Sequence, residues 1–149
     1  MFTLRFDMRA PASGAPAPDL YAAALDMCAW AETRGAVVAV LSEHHATEDG
    51  HLPSPLIMAA AIAARTDQLM ILLAATVLPL YDPVRLTEDM CVLDNLSRGR
   101  VTYAFGIGHR HEEYSQLGVD PSQRGRIADE NLELILRLLQ GGPIRLGDR

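Results

Sequence analysis

Only two cysteines, Cys28 and Cys91, occur in 149 residues. Two thiols cannot build a disulfide framework or a four-thiolate zinc site. Both fall in stretches with helical spacing and are expected as buried free thiols of a cytoplasmic protein. No apolar run approaches the ~18 residues of a membrane span, because Arg65, Thr66, Asp67 and Gln68 interrupt the longest apolar region. No signal-peptide pattern opens the chain, since Arg5, Asp7 and Arg9 stand among its first apolar residues. There is no basic run either. Thirteen Lys+Arg against 19 Asp+Glu give a net charge of −6, a poor match to nucleic acid or to an anionic membrane surface. HExxH motifs, low-complexity tracts and internal linkers are all missing.

What remains is a globular balance, 49% apolar and 21% charged, at a length that fits one domain with a real core. Strand and helix patterns alternate four times. Residues 2–8 (FTLRFDM) alternate as a strand. Three prolines and a glycine make 9–18 a loop. Asp19 is placed to cap a helix running to about Arg34, with Tyr21, Ala24, Leu25, Cys28 and Ala31 on one face. Residues 37–41 (VVAVL) suit a parallel strand buried on both faces. After the polar stretch 42–53, Ser54 caps a helix that has Pro55 in its first turn and reaches Arg65. That helix is alanine-rich and apolar nearly all round, so it is expected to be well covered.

Residues 70–77 (MILLAATV) read as the third strand, 78–83 as a loop, and 84–96 as a helix closed by Ser97-Arg98-Gly99. Residues 101–107 (VTYAFGI) read as the fourth strand. A long polar loop over 108–123 precedes a helix over 124–140, ended by Gly141-Gly142-Pro143. This order implies an α/β fold with a parallel sheet and right-handed crossovers. Four such units are either half of an eight-unit barrel or a four-stranded open sheet. A half barrel leaves two strand edges bare, and bare edges pair with something.

All five histidines, His44, His45, His51, His109 and His111, follow the second or fourth strand, and none falls on a predicted helix. Parallel α/β folds build their sites at that edge. Glu43, Glu48, Asp49, Glu112 and Glu113 crowd the same loops. Two chemistries fit. A metal site would use His109 and His111, completed by His44 or Glu43; that is the metal-dependent hydrolase reading. An organic cofactor would use one imidazole as acid or base. Small residues at the strand ends, Ala74-Ala75 and Gly106-Ile107-Gly108, leave room for a flat ring. The Gly-x-Gly follows the fourth strand and lacks a third glycine, so it is no dinucleotide fingerprint.

Ser42-Glu43-His44-His45 after strand two resembles the motif at that place in the bacterial luciferase-like flavin monooxygenases. So do Ala74-Ala75-Thr76-Val77-Leu78-Pro79, Asp82-Pro83-Val84-Arg85 with Glu88-Asp89, and Leu93-Asp94-Asn95-Leu96-Ser97-Arg98-Gly99-Arg100 running into Phe105-Gly106-Ile107-Gly108. The resemblance covers essentially the whole chain. It implies the N-terminal half of a TIM-type barrel, truncated after the fourth unit, and so favours the half barrel over the open sheet. It implies reduced FMN as cofactor, or the deazaflavin F420 as the alternative, with O₂ and a small organic substrate to be oxygenated.

By the same resemblance His44 matches the histidine near the reactive flavin edge and would manage protons. Glu43 and His45 match its pocket neighbours. Ala74-Ala75 matches a pair that relatives can join by a cis peptide under the flavin ring. Gly108 and His109 match flavin-flanking positions where relatives can carry cysteine and arginine. Arg124 or Arg126 matches an arginine at the start of helix four. A flavin reductase is a possible partner. In the family, residues 142–149 lead into a β-hairpin and strand five, and the phosphate site comes from later loops. Weak flavin affinity and no efficient turnover are therefore expected of the isolated monomer. A non-catalytic half barrel, paired with a second copy or a complementary half, is the alternative. His44→Ala is expected to leave folding nearly unchanged, since a rim loop holds little core.

Overall fold

The computed structural model describes residues 1–141. The expected lead from Gly142 toward a hairpin, and the Gly142-Pro143 stop, lie outside the described residues. Four parallel strands form one sheet in the order β1-β2-β3-β4: β1 (Phe2–Phe6), β2 (Ala36–Leu41), β3 (Met70–Val77) and β4 (Val101–Gly106). Each strand pairs with the next in sequence, as in a barrel wall, and the order never reverses as it does in a doubly wound sheet. β1 and β4 each keep one unpaired flank among the described residues.

The helices between strands are α1 (Ala17–Glu32), α2 (Pro55–Arg65) and α3 (Pro83–Ser97); α4 (His111–Gln116) and α5 (Arg124–Leu139) follow β4. They cover one face of the sheet. Ala24, Cys28 and Ala31 of α1 and Ile62 of α2 pack on Ala39, Leu41, Ile71 and Leu73. A fully buried side chain such as Ile62 contributes about 2 kcal/mol. A second cluster joins Leu78, Leu86, Met90, Ala128 and Ile135.

The apolar run of β2 is buried on one face only. Val38 and Val40 stay half-buried, because nothing among the described residues covers the concave side of the sheet. α2 departs from its expected full cover in the same way: Ile57 is 74% exposed, beside exposed Val92 and Leu96 of α3.

Boundaries differ from the sequence reading where a local hydrogen bond or cap decides them. β1 ends at Phe6 rather than Met8 because the Asp7 carbonyl accepts the Leu52 N–H and Met8 turns left-handed at φ 60°. α1 begins at Ala17, with Pro16 at the cap position, so Asp19 lies in the first turn and caps nothing. Ser54 occupies the cap of α2, but its hydroxyl makes no capping bond. At α3 the Asp82 carboxylate accepts the Val84 and Arg85 N–H groups at 3.0 Å. The predicted loop over 78–83 contains a 3-10 turn at Leu78–Leu80, and the predicted loop over 108–123 contains α4, which starts at His111.

At the N-terminal rim of the sheet Arg100 uses every N–H of its guanidinium. Nε donates to the Ser97 carbonyl, Nη1 to Thr66 Oγ1 and the Leu69 carbonyl, and Nη2 to the Ala63 and Thr66 carbonyls. That knot ties the end of α2 and the starts of β3 and β4. It leaves the opposite rim free to carry chemistry.

Candidate active site

The loop after β2 and the segment after β4 meet at the carboxyl rim. The sequence reading expects the β2 loop to hold little core, yet Ser42, Glu43, His51 and Leu52 are all buried. They are drawn in by bonds to the exit of β1. The Ser42 N–H and Oγ both donate to the Phe6 carbonyl, and the Leu52 N–H donates to that of Asp7.

His44 and His45 point to different partners. His44 Nδ1 donates to Glu113 Oε1 on α4 at 2.9 Å, and the His45 N–H donates to the same oxygen at 3.0 Å. The His45 ring instead donates from Nε2 to Glu43 Oε1 at 2.8 Å. Glu43 Oε2 accepts the Val77 N–H at the end of β3. Both carboxylates are buried, at 3% exposure for Glu43 and 1% for Glu113. The bond to Glu43 holds the His45 imidazole above its ordinary pKa, against the opposing effect of its own burial. The Tyr81 hydroxyl is pushed well up, first by burial and then by the Glu43 charge.

His51 is only 6% exposed. Arg9 Nε donates to its Nδ1 at 3.3 Å. Guanidinium only donates, so neutral His51 carries its proton on Nε2, which faces Ser42 Oγ at 3.1 Å. That arrangement rules out a serine nucleophile here, because the ring nitrogen facing the hydroxyl is a donor and not a base. Burial, then the His44 charge, lowers the pKa of His51.

His44, His51 and His109 share one cavity of about 710 Å³, with Arg9, Arg110 and Glu112 also in its wall. The His44 and His109 rings lie edge to face, 5.8 Å between centroids. His44 Nε2 has no hydrogen-bond partner among the described residues. His45 faces away, into a cleft with Leu56 and Tyr81. His111 is exposed at the start of α4. Among the described residues no group of three His, Cys, Asp or Glu converges to hold a metal ion, so the hydrolase reading finds no ligand set there.

The Ala74–Ala75 peptide is cis, and Ala75 is exposed. The glycines at the end of β4 and just beyond it serve the chain's own packing rather than only leaving room for a ring. A Cβ on Gly108 would lie 2.8 Å from Val77 Cγ1, at φ +64°, and one on Gly106 would lie 3.0 Å from Ala75 Cβ. Arg124 is half-buried at the start of α5, outside the wall of the histidine cavity, and its charge acts on the Tyr114 hydroxyl. Arg126 turns along α5, bonded to Gln123 and Glu130.

Arg9 belongs to the site without having carried a sequence signal, and Glu113, though legible as a rim acid, gave no sign of its partner. α4 is too short, with too few apolar residues, to show a helical period. Only the fold brings Glu113 to a histidine 69 residues earlier.

Comparison with known proteins agrees with this architecture. Limonene 1,2-monooxygenase of Rhodococcus erythropolis is 35% identical over 101 residues, 68% of this chain and 26% of that protein. The monooxygenase RslO1 of Streptomyces bottropensis superposes with a TM-score of 0.88 at 25% identity, covering 97% of this chain and 44% of that one. The oxygenating constituent of 3,6-diketocamphane monooxygenase from Pseudomonas putida, solved with FMN, shares the fold with a TM-score of 0.85 at 20% identity, covering 95% of this chain and 40% of its own. The chain spans 26–31% of the length of the curated relatives first matched. The profile of the luciferase-like monooxygenases matches residues 2–148. With paired strands in barrel order and this rim, the chain belongs to the luciferase-like monooxygenase family.

Proposed function

We propose that this chain supplies the flavin-facing half of a flavin-dependent monooxygenase, with reduced FMN as cofactor and O₂ and a small organic molecule as substrates. The observation that carries the reading is His44. It is fixed at Nδ1, open at Nε2, and set in the wall of a polar cavity at the carboxyl rim. The residues present fit a flat aromatic cofactor: Ala75 is small and exposed, and no side chain projects from Gly106 or Gly108. Reduced flavin, when bound, supplies the electrons for inserting one oxygen atom of O₂ into the substrate.

Ala74, Ala75, Gly108 and His109 would bind the ring. Arg9 and Arg110 add positive charge to the cavity wall. His44 Nε2 would take up and return a proton near the reacting atoms. Glu43 and His45, closed on each other, hold the floor of the site from behind. Arg124 would contribute through Tyr114 rather than by direct contact.

Among the described residues the concave face is open and β1 and β4 each keep an unpaired flank, which motivates the partner reading. A complementary half barrel or a second copy closes the wall.

Anaerobic titration with reduced FMN, run beside the mass in solution, tests this. Saturable binding by a closed assembly, with F420 as the parallel arm, supports it. Absence of flavin binding in every assembly state removes it. His44→Ala should lower flavin-dependent oxygenation at least ~10²-fold while sparing flavin affinity.

A further inference from the structure

We propose that Glu113 is a positioning residue: its buried carboxylate selects the Nδ1–H form of His44 and thereby leaves Nε2 as the lone pair that faces the cavity. The inference rests on the reading of His44 as the proton-transferring residue.

The geometry has four parts. Glu113 Oε1 accepts from His44 Nδ1 at 2.9 Å. The same oxygen accepts the His45 N–H at 3.0 Å, which fixes the backbone beneath the ring as well as the ring itself. Arg110 Nη1 stands 3.6 Å from that oxygen, adding a positive charge beside the carboxylate. Glu113 Oε2 is buried without a partner. A side chain present only to satisfy the fold would not bury an unused acceptor, which costs ~1–3 kcal/mol. A carboxylate kept there to face an imidazole has a reason to stay.

The neighbouring histidine sharpens the point. His45 is bound through Nε2 by Glu43, and His44 through Nδ1 by Glu113. Two adjacent imidazoles are thus held in opposite tautomers by two buried carboxylates, and only the one that lines the cavity keeps Nε2 free. The hydrogen bond at one ring nitrogen decides which nitrogen is left to react. When Nε2 accepts a proton from the reacting group, the imidazolium stays paired with Glu113. When the proton returns, the Nδ1–H form is restored. Glu113 itself touches no reactant.

The test is the tautomer of His44, read by long-range nitrogen–proton correlation spectra of the isotope-labelled full chain at about pH 8, above the ordinary histidine range. In the native chain Nδ1 should carry the proton and Nε2 should not. Glu113→Gln keeps an acceptor oxygen and should retain that form. Glu113→Ala should convert His44 to the Nε2–H form, while the His45 ring, bonded to Glu43, keeps its proton on Nε2. A native His44 with its proton on Nε2, or an Nδ1–H form that survives in Glu113→Ala, overturns the proposal. The native spectrum alone decides the matter should Glu113→Ala fail to fold.

In flavin-dependent turnover Glu113→Ala should lower kcat ~10²-fold with flavin affinity within about two-fold. An unchanged kcat in that variant also overturns the proposal. Should reduced FMN not bind while the tautomers behave as stated, the positioning role stands and the flavin reading falls.

Discussion

The imidazole rings of His44 and His51 meet edge to face with centroids 4.6 Å apart. The charge of His44 helps to depress the pKa of His51, second to burial. His45, on the other side of the same loop, is shifted up by Glu43. The two shifts act on stability in opposite senses. His51 titrates below its ordinary 6.5 in the folded chain, so the unfolded chain binds more protons there and stability falls as pH drops beneath 6.5. His45 titrates above 6.5, so its contribution is full below that value and is lost as pH rises through the folded pKa. Urea unfolding across this range should therefore show highest stability near pH 6.5. His45→Gln should flatten the alkaline side and His51→Gln the side just below 6.5.

Gly108 sits where no other residue fits. Its φ is +64° and an added Cβ would come within 2.8 Å of Val77 Cγ1. Gly108→Ala should destabilise by about 2 kcal/mol and should shift the amide signals of His109 and Arg110. Gly125 in α5 has nothing within 4 Å of its Cβ direction, so Gly125→Ala should stabilise by about 0.5 kcal/mol. Thermal unfolding of both variants checks the pair, and equal effects would contradict it.

Arg100 cannot be replaced by another cation. A lysine has three donors on a single point, whereas the five bonds made here radiate from a planar fork. Arg100→Lys should cost about 2–3 kcal/mol, since backbone carbonyls of the α2–β3 connection lose their donors. Denaturant midpoints give the value. The cavity at the other rim should keep its flavin affinity in conditions where the variant is folded.

The two thiols, equivalent in the sequence reading, differ in the structure. Cys28 is buried and its pKa is pushed up to about 11 by burial. Cys91 is exposed on α3 rather than buried as expected. An alkylating reagent should modify Cys91 alone in the folded chain and both residues in denaturant, as counted by intact mass.

Much of this architecture is written locally. Apolar runs such as MILLAATV fix strands because β-branched and aliphatic side chains suit a buried pleated surface, and β3 spans Met70–Val77 as read. Proline, glycine and Asp82 set helix boundaries through backbone chemistry confined to a few residues. The rim position of His44, His51 and His109 also follows from sequence order, because each comes just after a strand.

The partnerships at that rim do not follow from order. Glu113 reaches His44, Arg9 reaches His51, and Val77 excludes a side chain at Gly108, all across separations that only the folded sheet brings to contact distance. Neighbouring His44 and His45 look alike in sequence, yet burial of two different carboxylates gives them opposite tautomers. The sequence by itself determined the alternation of elements, the rim and the histidines on it. The tertiary structure alone decided which imidazole is closed off and which stays open, because hydrogen-bond pairing depends on distance in space and not along the chain.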